Sequence, residues 1–529
     1  MDPERTAAYD AALAGDLDAG RRALAVDADE TSIITICWRH ALGELLAFSA
    51  APGAPTSPSP PGDANDEPGW EWLARAEAHR VRRAAVTFDR PGLEQALTRF
   101  EQIPSGADLE ADAWRAVADA WRQVSRGADP RPQLERAHKI GAQLQRAELV
   151  LEAIALAALG AENAGDQAGA LAIARRASRM ARTEGLPHSE FLANLVLARS
   201  RRLDQKPHLA ARILYALRPL IAPVWRTWLE LELRLALGES TEAPDPGASA
   251  GHSLWRALSA ARRGEHLAFR SSIEDAALRV AGFAPLHTDL VGARSLLDPT
   301  IPLDQLGSPW REWADGSITH PPRGLIGLAG DPGPSGQAVA FVWAPGATPA
   351  RRVLSPGHHL ADAALLLDHE GSGPQLRTDS AVAALALVGP SGIGEDALFR
   401  KLYGFDYEPE RHQSVRDVLY QRVKKRIAPA RLEREANRVR LLQEVPWMVP
   451  DPRSSPPPEL RILRLLGARK IAAARDVAGE LGIPLRTAQD ALARLAEDGA
   501  VKKEKARVGL HYILEDTTFS EPTRRFRAS

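Results

Sequence analysis

The stretch Ser380–Leu441, SAVAALALVGPSGIGEDALFRKLYGFDYEPERHQSVRDVLYQRVKKRIAPARLEREANRVRL, decides how the chain is read. From Arg411 to Ile427 apolar residues recur at Val415, Val418, Leu419, Val423 and Ile427. Steps of three and four place them on one side of a helix. The remaining faces carry Arg411, His412, Gln413, Arg416, Tyr420, Gln421, Lys424 and Lys425, with Asp417 as the sole acid. A buried stripe opposed by a basic, amide-bearing face suits a helix in a DNA groove. Cations there meet phosphates, while Gln and Arg side chains reach base edges. An ordinary solvated basic helix has the same composition, so the flanking elements must decide.

Upstream, Ser380–Val388 reads as a first helix with Ala381, Ala384, Leu385 and Val388 facing inward. Gly389-Pro390 ends it, Gly392 and Gly394 turn the chain, and Glu395–Tyr403 forms a second helix closed by Gly404 as a C-cap glycine. Downstream, Arg431–Arg434 and Arg438–Leu441 are strands around a hairpin tip at Glu435-Ala436-Asn437. Three helices followed by a hairpin make a winged helix-turn-helix. The run LYGFDYEPERHQSVRDVLYQRVKKRI resembles the second half of the OmpR-type effector domain of bacterial response regulators, over about Ala364–Gln443. The resemblance implies major-groove contact by the Arg411–Lys425 helix, with Gln413, Arg416 and Tyr420 nearest the bases. It also implies phosphate or minor-groove contact by Asn437, Arg438 and Arg440. A receiver domain is not expected, because the N-terminal half reads as helix throughout.

Glu459–Glu515 repeats the theme after a proline-rich spacer, Glu444–Pro458. ILRLLGARK is a first helix, Ala472–Leu481 a second closed by Gly482, and LRTAQDALARLAEDG a third with Ala488, Leu492 and Leu495 inward. Lys502–Tyr512 supplies a wing. This arrangement resembles the MarR-like and IclR-like winged-helix class. The resemblance puts Arg486, Thr487 and Gln489 toward bases and Lys502, Lys503, Lys505 and Arg507 toward phosphates. Asp490 also points outward and opposes a phosphate contact, and domains of this shape serve equally for dimerisation or protein docking. The tail carries Arg524, Arg525 and Arg527.

The N-terminal half reads as helix after helix. Tyr9–Leu24 and Ser32–Phe48 form a pair, 50–69 is a Pro/Gly/Ser/Asp linker, and helices recur from Trp70 to about Leu297. Arg131–Leu159 reads as one continuous helix. Small residues such as Ala170, Ala174, Ala177, Ala193 and Ala198 allow close approach, in a spacing longer than the ~34 residues of a tetratricopeptide repeat. The expected architecture is mainly α. It comprises a tetratricopeptide-like α-solenoid, the alternative being a plain bundle of Ala-rich helices, then a small β-sheet leading into two tandem winged helix-turn-helix domains. The segments are 1–49, 50–69, 70–318, 319–444, 445–458 and 459–529. The sheet is expected from Gly324–Leu328, Ala338–Trp343, Arg351–Leu354, Ala364–Leu367 and Gln375–Arg377.

Three catalytic or metal patterns fail on their own chemistry. Gly389 and Gly394 have Walker A spacing, but Glu395 and Asp396 stand where Lys and Ser or Thr must bind phosphate and magnesium. Gly247-Ala248-Ser249-Ala250-Gly251 matches a nucleophile elbow, yet ESTEAPDP before it is no strand. His358, His359, Asp368, His369 and Glu370 lack a ligand spacing. No enzyme activity, metal or cofactor is therefore expected.

Lys+Arg 67 against Asp+Glu 68 confines any nucleic-acid surface to a local patch, and a single cysteine, Cys37, excludes an internal disulfide framework. The acidic N-terminus lacks a signal-peptide pattern and no segment has the apolar length of a membrane span. The expectation is a cytoplasmic DNA-binding transcription regulator that binds double-stranded DNA, homo-oligomeric, with a helical sensing or dimerisation region open to protein partners. The alternative is a scaffold whose solenoid and winged helices all contact proteins.

Overall fold

The computed structural model describes residues 3–26, 32–49, 69–106, 108–204, 206–237, 250–262, 266–280, 284–295, 301–306, 311, 339–343, 350–353, 365–366, 375–388, 391–427, 430–442, 447–450, 458–505, 509–516 and 519. The chain is mainly helical, with small sheets in its C-terminal part. It divides into two units. One comprises 1–256, 272–290 and 458–529, and the other 257–271 and 291–457.

In the first unit the helices are α1 (Pro3–Leu13), α2 (Leu17–Val26), α3 (Ile33–Ser49), α4 (Trp70–Val86), α5 (Arg90–Phe100), α6 (Leu109–Ser125), α7 (Arg131–Gln143), α8 (Ala147–Asn163), α9 (Gln167–Glu184), α10 (Pro187–Leu203), α11 (Pro207–Leu217) and α12 (Arg226–Leu237). Each packs on the next, and α4, α6, α8, α10 and α12 also pack on one another in series. These five begin at Trp70, Leu109, Ala147, Pro187 and Arg226, a recurrence of 38 to 40 residues. Asp89, Asp108 and Asp166 cap the starts of α5, α6 and α9 by accepting backbone N–H bonds. The expected Arg131–Leu159 helix is in fact α7 and α8. Gln145 breaks it at φ 56, a left-handed turn made without glycine or proline. The expected Tyr9–Leu24 helix is likewise divided, at Gly15 with φ 98.

The inner side of this row is filled by its own side chains. Every residue of α10 is buried, as are most of α4. Buried arginines and carboxylates join the inner helices to one another and to α15 (Ala284–Ser295). Arg75 of α4 donates to Glu110 of α6 at 2.6 and 2.9 Å, and Arg82 pairs with Glu152 of α8. Arg199 bridges Glu162 and Glu232, and Arg202 joins Glu232 to Asp289. Burial alone raises a carboxyl pKa, but Arg75 outweighs it at Glu110 and holds that group below its ordinary value. The row also curls, bringing α3 and the turn after α4 against α10 and the start of α12. Phe48 of α3 lies 5.5 Å from Trp225, Ser49 Oγ is 2.8 Å from His188 Nε2, and Phe88 is 5.7 Å from Trp228. Gly251, the last residue of the elbow-like motif, lies in the helix α13 (Ala250–Arg262), where a Cβ would come within 2.4 Å of the Phe88 ring. Close helix packing accounts for that glycine.

The C-terminal part of this unit comprises α19 (Pro458–Arg469), α20 (Ala474–Leu481) and α21 (Leu485–Glu497), with strands β8 (Ile471–Ala473), β9 (Val501–Lys505) and β10 (Leu510–Leu514) in the order β8-β10-β9. Ile462, Leu466, Val477, Ala488, Leu492, Leu495 and Leu514 form its core. It sits on the helical row: α19 packs against α11, and Leu209 joins the core. A side chain at Gly467 would meet the His208 carbonyl oxygen at 2.7 Å, so only glycine allows this approach. Arg201 of α10 donates both guanidinium nitrogens to the Asp516 carboxylate at 2.7 and 2.9 Å.

The second unit holds a four-stranded sheet ordered β2-β1-β7-β3, from β1 (Val339–Trp343), β2 (Ala350–Val353), β3 (Leu365–Leu366) and β7 (Trp447–Pro450). β7 comes from the segment read as a proline-rich spacer. Trp447, Met448 and Val449 pair antiparallel with β1, giving that segment a structural role that its prolines concealed. Helix α16 (Gln375–Val388) packs against β1 and β7, and its first turn replaces the strand expected at Gln375–Arg377. Then follow β4 (Ile393–Gly394), α17 (Glu395–Tyr403), α18 (Pro409–Ile427), β5 (Arg431–Glu435) and β6 (Arg438–Leu442), with sheet order β4-β6-β5. Gly404 ends α17 at φ 80 and Gly482 ends α20 at φ 61, the left-handed caps that their spacing predicts.

In sequence α13 is followed by α14 (His266–Val280) and α15 (Ala284–Ser295), whose residues are divided between the two units. Residues 324–328, His358, His359, Asp368, His369, Glu370, Ser249, Arg507, Arg524, Arg525 and Arg527 lie outside the described residues. Among the described residues no helix is long and apolar enough to cross a membrane, and no group of His, Cys, Asp and Glu is arranged to hold a metal ion.

Candidate nucleic-acid interface

Helix α18 exists because Leu419, Val423 and Ile427 bury one stripe against α16 and the β5–β6 hairpin. Each such side chain contributes about 1.5–3 kcal/mol on leaving water. Its rotation differs from the sequence expectation. Val415 and Val418, read as inner residues, are 41% and 45% exposed, whereas Tyr420, read as a base contact, is 4% exposed. The cause is a clamp centred on Glu395. Its carboxylate accepts from Arg416 Nη1 at 2.8 Å and from Arg434 Nε at 2.6 Å. Arg434 lies over the Tyr420 ring at 5.0 Å, and Arg416 over Tyr407 at 5.2 Å. Burial lifts the Tyr420 phenol above its ordinary pKa, and the Glu395 charge adds to that rise. Tyr420 is therefore part of the core, and Arg416 is a half-buried strut joining the helix to the start of α17.

The other expected contacts on this helix divide by exposure. Gln413, Lys424 and Lys425 are exposed. Arg411 is exposed and pairs with Glu408 at 3.2 Å. His412 is turned inward: its Nδ1 accepts the Glu408 backbone N–H at 2.9 Å, and its ring stacks on Phe399 at 5.2 Å. On the hairpin, Ala436 and Asn437 take φ 47 and 62, a tight two-residue turn. Arg438 donates to the Ser391 and Gly392 carbonyls at 2.9 and 2.8 Å, and Arg440 pairs with Glu433. Both are engaged locally, Arg438 still exposed and Arg440 half-buried.

Gln421, placed on the basic face by the sequence but given no contact there, and Arg422, which sequence reading missed, are both exposed on the face turned away from the core. Stepping about 100° per residue from Leu419, Val423 and Ile427 locates that face at positions 411, 414, 415, 418, 421, 422 and 425. Glu395 was also missed in this role, having been read as a residue that disfavours a phosphate loop and suits a helix N-terminus, where it does stand.

In the C-terminal body Arg486 and Gln489 are exposed, and Thr487 is half-buried. Arg486 stands 4.0 Å from Asp490, one helical turn on. Lys502, Lys503 and Lys505 are all exposed along β9. The two bodies thus share one order: helix, short strand, helix, helix, then a hairpin, with sheets β4-β6-β5 and β8-β10-β9. In each, cations of the third helix and hairpin lie outside the core.

No family model, curated protein or solved structure matches the chain. The reading of the site accordingly rests on its own geometry.

Proposed function

We propose that the chain is a DNA-binding transcription regulator whose two C-terminal bodies are winged helix-turn-helix domains. One observation carries this reading. Both bodies are built in the same element order, and each leaves cations of its third helix and hairpin free of its core. In the first body the helix offers Arg411, Gln413, Gln421, Arg422, Lys424 and Lys425, suited to phosphates at its margins and base edges between them. The second offers Arg486, Gln489, Lys502, Lys503 and Lys505. The row of helices recurring at 38 to 40 residues fits a tetratricopeptide-like array that senses a partner or pairs two copies. On this reading the protein acts in the cytoplasm as a homo-oligomer, by binding rather than catalysis.

The deciding experiment is a fluorescence anisotropy titration with mixed-sequence duplex DNA at two salt concentrations. Duplex binding that weakens steeply as salt rises supports the proposal, since each neutralised phosphate releases counterions. Binding that is absent at low salt overturns it. A second reading, a protein scaffold, is favoured by the seating of the C-terminal body on α11 and by Asp490 beside Arg486. It predicts no salt-dependent affinity for duplex DNA.

A further inference from the structure

The outward face of α18 holds two branched apolar side chains that its own core does not explain. Val415 and Val418 are one turn apart, 41% and 45% exposed, with Arg411, Arg422 and Lys425 in line with them. Seen down the axis at about 100° per residue, these five fall within roughly a quarter of the helix circumference. The buried stripe of Leu419, Tyr420, Val423 and Ile427 lies on the other side.

Isolated surface valines are common. These two are notable for their position. β-branched residues are weaker helix formers than the Lys, Arg, Gln and Glu that fill exposed helix positions, so an outward pair weakens the isolated helix slightly. They also stand in the middle of the cationic stripe. The cations in line with them select an anionic partner, and two valines are too small a patch to seat a protein core. In the major groove a polyanion offers one apolar group, the 5-methyl of thymine, which aliphatic side chains contact.

We infer that Val415 and Val418 form a methyl-reading pair, and that the preferred duplex carries thymine at the positions facing them. This inference rests on the DNA-binding reading above and deepens it. Arg411, Arg422 and Lys425 would anchor the flanking phosphates, while the valines exclude water around the methyl groups. Discrimination would come from apolar contact, with Gln421 beside them for a base edge.

The test begins with selection of bound duplexes from a randomised pool by the full chain. Each thymine of the selected site is then replaced by deoxyuridine, which removes only the methyl. The expected result is a loss of about 4-fold in affinity at one or two positions, the scale of one buried methyl group. Val418→Ala, at an exposed position outside the core, should bind thymine and deoxyuridine sites alike. The cycle between protein and DNA changes isolates the contact. Val415→Ala should do the same at a neighbouring position. Equal affinity of the parent protein for thymine and deoxyuridine sites overturns the inference while leaving DNA binding intact. So does undiminished thymine preference in Val415→Ala and Val418→Ala. If no sequence is selected and no salt-dependent binding is seen, the DNA-binding reading and the inference fall together.

Discussion

The two C-terminal bodies have the same element order but are held in different ways. The first, around α18, is braced from within. Glu395 ties the third helix and the hairpin together through Arg416 and Arg434, and α16 backs onto a separate four-stranded sheet. The second is braced from outside, by α19 lying on α11 and by the buried Arg201–Asp516 pair. A common topology therefore does not fix a common stability or role. What holds each body together differs: contacts with the helical row in the second, an internal clamp in the first.

The largest effect is expected at the external brace. Asp516→Asn removes the charge that offsets burial of Arg201 and should cost on the order of 3 kcal/mol. Hydrogen exchange should accelerate across 458–514 and stay unchanged across 391–442. Unchanged exchange in the C-terminal body would mean that its seating does not depend on this pair.

Acid should also separate the two. Burial lowers the pKa of His79 and His188 well below its ordinary value, so both are neutral in the folded helical row. The unfolded chain takes up those protons near pH 6.5, so stability present above that pH is lost as pH falls below it. Each histidine contributes a slope of up to about 1.4 kcal/mol per pH unit between its unfolded and folded pKa values. Denaturant melts from pH 7.5 to 5.5 should show the first unit weakening, and His188→Asn should flatten the slope. A slope that persists in both His79→Asn and His188→Asn would place the acid sensitivity elsewhere.

At the internal brace, Glu395→Gln keeps the shape but removes the charge shared by Arg416 and Arg434. It should cost about 1.5–3 kcal/mol, seen as a lower denaturation midpoint of the second unit. The smallest effects are single phosphate contacts. On the proposed DNA-binding reading, Lys424→Ala should reduce the salt slope of duplex binding by about 1, with little change in sequence preference. Lys503→Ala repeats the measurement on the second body. An equal drop means that both bodies touch DNA, and no drop assigns contact to the first alone.

Much of this architecture is written in local chemistry. Gly404 and Gly482 mark helix ends because left-handed caps favour glycine, and the Arg431–Leu442 hairpin is visible from its alternation and tip. The rotation of α18 was not legible, because valines occupy both of its sides. Spacing could not show that Glu395, distant in sequence, would draw Arg416 and Tyr420 inward. The break at Leu144-Gln145-Arg146 was hidden for a related reason: no residue type there demands a turn, and the packing of α7 on α8 imposes it. Burial of charge inside the helical row was equally invisible, since Arg75 and Arg82 depend on partners two and four helices further along the chain.

The meeting of Phe48 and Ser49 with His188 and Trp225 has a consequence for how such a protein changes over time. An open stack of hairpins tolerates gain or loss of a copy, because the newcomer only extends one end. Here α3 is seated on α10 and on Trp225, just before α12, so duplicating a 38-to-40-residue segment between them would prise that contact apart. The number of hairpins is thereby pinned, and this part of the chain is left to vary by substitution rather than by growth.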